Sequence, residues 1–148
     1  MQNTATLYET DFFAWTQEQV KLIKQKALEK LDMIHLCEEV ESMGVSQRNA
    51  LESRLGVLLM HLLKWKYQPS RQCRSWTITI KVQRKELTHH LKKNPSLTNI
   101  DTLKESFEYA YSVAILNAAE ETGLDDDIFP KQCEWTIGQV LDDEFFPN

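Results

Sequence analysis

Apolar positions recur at three- and four-residue spacings along most of the chain, the period of an α-helix that lies against a core. Six stretches carry it. The first spans 11–25, with Phe12, Phe13, Trp15, Val20 and Ile23 as its apolar set, Thr10 placed to cap it and Asp11 in its first turn. The second, DMIHLCEEVESM over 32–43, opens on Asp32 as a cap and stops at Gly44, a residue suited to the left-handed position after a helix. Ser46 then opens a third over 46–67. There Leu51, Leu55, Leu58, Leu62 and Trp65 share one face, and Val57, Leu59, Met60 and Leu63 cover the other sides. A helix apolar nearly all round belongs at the centre of a bundle. The short Gly44-Val45 link predicts that the second and third helices are antiparallel neighbours, a central hairpin.

Pro69 ends that region, and the polar connector QPSRQCR leads to Ser75 as the cap of a fourth helix over 75–93. Its core face is Trp76, Ile80, Leu87 and Leu91, and Asn94-Pro95 stops it. Ile78, Val82 and His89 form a second line, so this helix needs a second neighbour, either another helix or another subunit of a homo-oligomer. Asp101 caps a fifth helix over 101–122, with Leu103, Phe107, Ala110, Ala114 and Ala118 in register and Gly123 at its end. The loop LDDDIFPKQCEW follows, and Thr136 begins a last short helix over 136–144. WTITI has strand-like composition, but no partner strand is visible and an isolated hairpin is marginal. The pattern predicts one all-α domain over 1–148, a helical bundle of five to six helices.

The totals agree. A chain of 148 residues forms one domain with a real core, and 4 Gly with 4 Pro are few for the many turns of an all-β fold. The longest apolar run, Leu55 to Leu63, is broken by Gly56 and His61 and falls far short of the ~18 residues of a membrane span. MQNTATLYETDFF lacks the basic and apolar regions of a secretory leader. Cys37, Cys73 and Cys133 are odd in number, widely spaced and without a CxxC, the pattern of reduced cytoplasmic thiols. No Gly-rich phosphate loop or nucleophile elbow is present, and no cofactor is expected.

Charge changes the picture more. The net charge of −5 conceals a segregation. Residues 64–93 hold nine basic side chains against Glu86 alone, a local +8, and the remainder of the chain carries −13. On the fourth helix Arg74, Lys81, Lys85 and Lys92 fall on one line about 27 Å long, away from the Trp76 face. The line is a candidate binding face for an acidic protein or a nucleic acid. It could instead only balance the acidic stretches Asp125–Asp127 and Asp142–Glu144 of the same chain.

Several phrases together carry a resemblance: CEEVESMG (37–44), LESRLGVLLMHLLKWKYQP (51–69), RSWTITIKVQR (74–84), ETGL (121–124), FPKQC followed by LDDEFFP, and the N-terminal LYETDFFAWTQEQ. The chain resembles the domain-of-unknown-function family 29, a bacterial family abundant in cyanobacteria. Glu38, Glu39, Glu41, Leu59, His61, Lys64, Trp65, Pro69, Trp76 and Arg84 occupy its motif positions. The resemblance implies an entirely α-helical bundle of unknown activity and brings no catalytic residue with it.

Three constellations could carry chemistry. Arg54 and His61, seven apart on the third helix, have the spacing of the R-x(4–6)-H motif of HEPN ribonucleases, small all-α enzymes that need no metal. There His61 would serve as general acid and base, and Arg54 would stabilise phosphorane charge. Leu55 departs from that pattern, which has a polar residue after the arginine. His35, Glu38 and Glu39, at spacings of three and four, could converge on a metal ion. The plainer reading follows from the hairpin, which sets Glu41 level with Arg48 and His35 level with Arg54. Glu38, Glu39 and Glu41 would then neutralise Arg48 and Arg54 as structural ion pairs. The overall expectation is a cytoplasmic binding or regulatory module with no membrane association.

Overall fold

The computed structural model describes residues 4–148. Its helices are α1 (Thr4–Thr10), α2 (Phe12–Lys24), α3 (Met33–Tyr67), α4 (Arg74–Lys93), α5 (Ile100–Thr122) and α6 (Ile137–Leu141). Single turns of 3₁₀ helix stand between several of them, and the described residues contain no strand. WTITI lies within α4. The all-α expectation therefore holds. The residues group into two compact units, one ending at Ser46 and one running from Gln47 to Asn148, and α3 begins in the first and ends in the second.

The central hairpin is not formed. Residues 33–67 make one helix of 35 residues that passes through Gly44 without a break. A reversal there would need a left-handed glycine, yet only Lys26 (φ 57°) and Gly123 (φ 74°) have positive φ among the described residues. No proline removes a donor between Met33 and Tyr67, and a glycine inside a helix costs only about 1 kcal/mol relative to alanine, too little to stop propagation. The antiparallel neighbour of 47–67 is instead α4.

In the unit from Gln47 onward, α3, α4 and α5 form an up-down-up bundle. Contacts of α3 with α4 run in opposite order: Gln47 O with His90 Nε2 (2.8 Å), Arg54 with Glu86 (3.8 Å) and Lys64 with Trp76. Contacts with α5 run in the same order: Arg48 with Glu105 (2.9 Å) and Lys64 with Glu121 (3.0 Å). The expected core face of α3 is the actual one: Leu51, Leu55, Leu58 and Leu62 are fully buried, joined by Leu59 and Leu63. Trp65 is half-buried and packs against Phe146. Ile80 and Leu87 of α4 meet Phe107, Ala110, Ala114 and Ala118 of α5, whose small residues allow close approach. Gly123 ends α5 as expected, its N–H donating to Ala119 O at 2.9 Å.

Helix caps follow the side chains that reach a free N–H. Asp11, not Thr10, caps α2, accepting from Ala14 N at 3.0 Å. Asn99, not Asp101, caps α5, accepting from Asp101 N and Thr102 N. Ser75 and Ser46 lie inside helices. Asp32 does stand at the start of α3, accepting from His35 N at 3.4 Å, and Thr136 forms a reciprocal capping box with Gln139 at the start of α6. That last helix is shorter than expected because the chain turns away after Leu141.

In the unit ending at Ser46, Trp15 and Leu22 of α2 are buried, with Gln19 between them. Phe12, Phe13, Val20 and Ile23, expected in the apolar set, are substantially exposed. Tyr8 of α1 stacks on His35 (centroids 4.0 Å apart), meets Trp15 edge-on at 4.8 Å and donates a hydrogen bond to Glu39. Asp32 gathers Trp15 Nε1–H at 3.1 Å and His35 Nδ1 at 2.7 Å. Burial acts to raise the Asp32 carboxyl, but hydrogen bonds from His35 and Trp15 outweigh it and hold the group below the usual carboxylate range.

Two measurements check this architecture. Gly44→Ala places a methyl in open space on a continuous helix, so it should raise stability by about 0.5–1 kcal/mol in urea titrations, whereas a left-handed turn at that position would give a loss. Leu58→Ala should cost about 2–5 kcal/mol, because the fully buried side chain leaves both lost transfer energy and a cavity.

Candidate binding face on the fourth helix

The geometry separates the basic residues of 64–93 by burial and by partner. Lys64 and Arg84 are buried, at 8% and 0% exposure. Lys64 Nζ lies 3.0 Å from Glu121 and 4.5 Å from the centre of the Trp76 ring, so both its charge and its stem are satisfied. Arg84 has no carboxylate partner. Its Nε donates to Val140 O at 2.8 Å, one Nη to Phe145 O at 2.6 Å and the other to Asp143 O at 3.4 Å, and Phe146 lies against the guanidinium. Burial lowers its pKa from the ordinary arginine value, and the nearby Asp143 and Asp142 oppose that shift. Charge alone does not separate Arg84 from its basic neighbours. The signal that could have done so is its place one turn from Ile80 and Leu87 on the inner line of the helix.

Lys66 pairs with Glu134 at 3.2 Å. Arg74, Lys81, Lys85 and Lys92 are different. All four are exposed, and none lies within 4.0 Å of a carboxylate oxygen among the described residues. Ile80, Arg84 and Leu87 turn inward, and these four lie together about a third of a turn round α4 from them. Ile78 and Val82 stand beside them, 45% and 48% exposed, the second apolar line left without a neighbour. Lys81, Lys85, Thr88, His89 and Lys92 line an open cleft of about 620 Å³, closed on its far side by Asp143 and Glu144. Those carboxylates are there because Arg84 holds the backbone of the same segment and Asp142 accepts from Glu144 N at 2.9 Å. They border the lysines without forming ion pairs with them.

The other sequence candidates disperse. Arg54 pairs with Glu86 of α4 and Arg48 with Glu52 and Glu105, so the expected pairs with Glu38, Glu39 and Glu41 are not made. Without the hairpin, those glutamates never come level with the arginines. His61 Nδ1 donates to Val57 O at 2.8 Å, which leaves Nε2 as the free nitrogen. Burial lowers the His61 pKa, Val57 opposes, and Lys64 lowers it further against Glu121. Arg54 and His61 thus have separate partners, and no contact joins them among the described residues. His35 is engaged by Asp32 and Glu39 by Tyr8, and with Glu38 they do not bring three ligand atoms together. The one acidic group that does so among the described residues is Asp125, Asp126 and Asp127, exposed on a loop.

The family model described as domain of unknown function DUF29 matches residues 7–146. The chain belongs to that family. Its match runs from α1 through the segment held by Arg84, so the N-terminal unit and the C-terminal tail are both part of the DUF29 pattern. No curated protein and no solved structure matches the chain. No helix among the described residues is long and apolar enough to cross a membrane.

Arg84→Lys keeps the charge but cannot reach three carbonyls at once. It should lower stability by about 3 kcal/mol or more in denaturant titrations, since hydrogen bonds to a charged group contribute about 1.5–3 kcal/mol each. Lys85→Gln, one residue away but outside, should change it by less than about 0.5 kcal/mol.

Proposed function

We propose that this DUF29 chain is a protein-binding module whose outer α4 face receives an acidic protein surface. The observation that carries the reading is the unpaired set Arg74, Lys81, Lys85 and Lys92, exposed beside the half-exposed Ile78 and Val82. Four cations that form no ion pair of their own attract an anion, and the attraction speeds encounter more than it strengthens the final contact. The neighbouring apolar pair favours a protein over a nucleic acid, because a phosphate backbone offers nothing for Ile78 and Val82 to cover. No exposed aromatic accompanies the stripe as a stacking platform for bases: Trp76 is half-buried beneath Lys64.

The probes are fluorescent poly-L-glutamate and a short DNA duplex, titrated into the full chain. Poly-L-glutamate should bind, weaken steeply with added salt, and lose at least about tenfold in affinity in the Lys81→Glu, Lys85→Glu, Lys92→Glu triple variant. Thermal stability should change little, because none of the three lysines holds an internal ion pair. Tighter binding of the duplex would turn the reading toward nucleic acid. A lowered melting temperature with unchanged binding would assign the stripe to internal charge balance and remove the proposal.

A further inference from the structure

The first unit carries a surface that answers the α4 face. On α3, Ile34, Glu38, Glu41 and Val45 follow one another at spacings of four, three and four, so they form a single line about 16 Å long. All four are exposed, Ile34 at 74% and Val45 at 57%. His35 and Glu39, which make the contacts with Tyr8 and Asp32, lie on a different side of the helix. Neither Glu38 nor Glu41 forms an ion pair among the described residues. The line therefore reads apolar, acidic, acidic, apolar, with both charges free.

On α4 the outer face reads Ile78, Lys81, Lys85 at spacings of three and four, with Val82 alongside. Its order is apolar, basic, basic, over about 10 Å. The complementarity extends beyond the pairs. Residues 1–46 hold eight acidic and four basic side chains, and 64–93 carry a net +8. Each surface is uncovered in the single chain, and each offers the charge that the other lacks.

We infer that the acidic protein surface received by the α4 face belongs to a second copy of this chain, the Ile34–Val45 line of its α3. This rests on the reading of α4 as a protein-binding face and names the occupant. Glu38 and Glu41 meet Lys81 and Lys85, and Ile34 covers Ile78. In a two-fold dimer the contact occurs twice, each copy giving its acidic line and receiving the other's. The apolar residues supply affinity, and the charges set partner and register.

The test is sedimentation velocity of the full chain at low salt and high protein concentration. The wild-type chain should self-associate and dissociate as salt rises. Glu38→Lys with Glu41→Lys in one variant, and Lys81→Glu with Lys85→Glu in another, should each weaken self-association at least about tenfold. An equimolar mixture of the two variants should recover it, because both contacts of the mixed pair again join opposite charges. All four positions are exposed, and far-UV circular dichroism confirms that each variant is helical. A wild-type chain that stays monomeric would overturn the inference, as would a mixture that does not associate or a Glu38→Lys, Glu41→Lys variant that self-associates like wild type. A monomer that still binds poly-L-glutamate through Lys81 and Lys85 would overturn this inference alone. Loss of that binding as well would remove the α4 reading with it.

Discussion

A buried cation held by backbone carbonyls organises the C-terminal third of the chain. Arg84 sits at the inner face of α4 with no carboxylate to neutralise it, and an isolated charge there would be costly. The carbonyls of Val140, Asp143 and Phe145 replace its water. The arrangement serves both partners. Val140 O is among the last carbonyls of α6, which have no acceptor role inside the helix and lie at the negative end of its dipole. The residues after Leu141 have few hydrogen bonds of their own, and the planar guanidinium fastens them at three points. Phe146 then lies between Arg84 and Trp65, tying the tail to α3 as well as α4.

The same contact shapes the outer surface. By fixing the backbone of Asp143, Arg84 brings Asp143 and Glu144 to the border of the cleft that Lys81, Lys85 and Lys92 line. Basic residues of one segment of the chain thus have opposite fates. Lys64 and Arg84 are spent inside the fold on Glu121, Trp76 and the tail carbonyls. Those one third of a turn away keep their charge for solvent or a partner. Helical geometry makes this division: the inner line is set by Ile80 and Leu87, and what falls off that line stays wet.

Periodicity alone determined the all-α class, the core line of Leu51, Leu55, Leu58 and Leu62, the left-handed end of α5 at Gly123, and the exposed line of Arg74, Lys81, Lys85 and Lys92. These are local properties: a spacing of three and four residues has one helical meaning wherever the helix is placed. What depended on propagation or on distant partners was decided only by the tertiary structure. Gly44 has the chemistry of a helix end, but a glycine's preference is worth about 1 kcal/mol, and it ends a helix only where the next residues have somewhere better to go. Because α3 continues, Glu38, Glu39 and Glu41 never meet Arg48 and Arg54, which instead find Glu105 and Glu86 on helices far away in sequence. Arg84 and its neighbouring lysines look alike as letters. One is an internal fastening and the others a free surface because the tail folds back onto one side of α4, and no local spacing records where a tail returns.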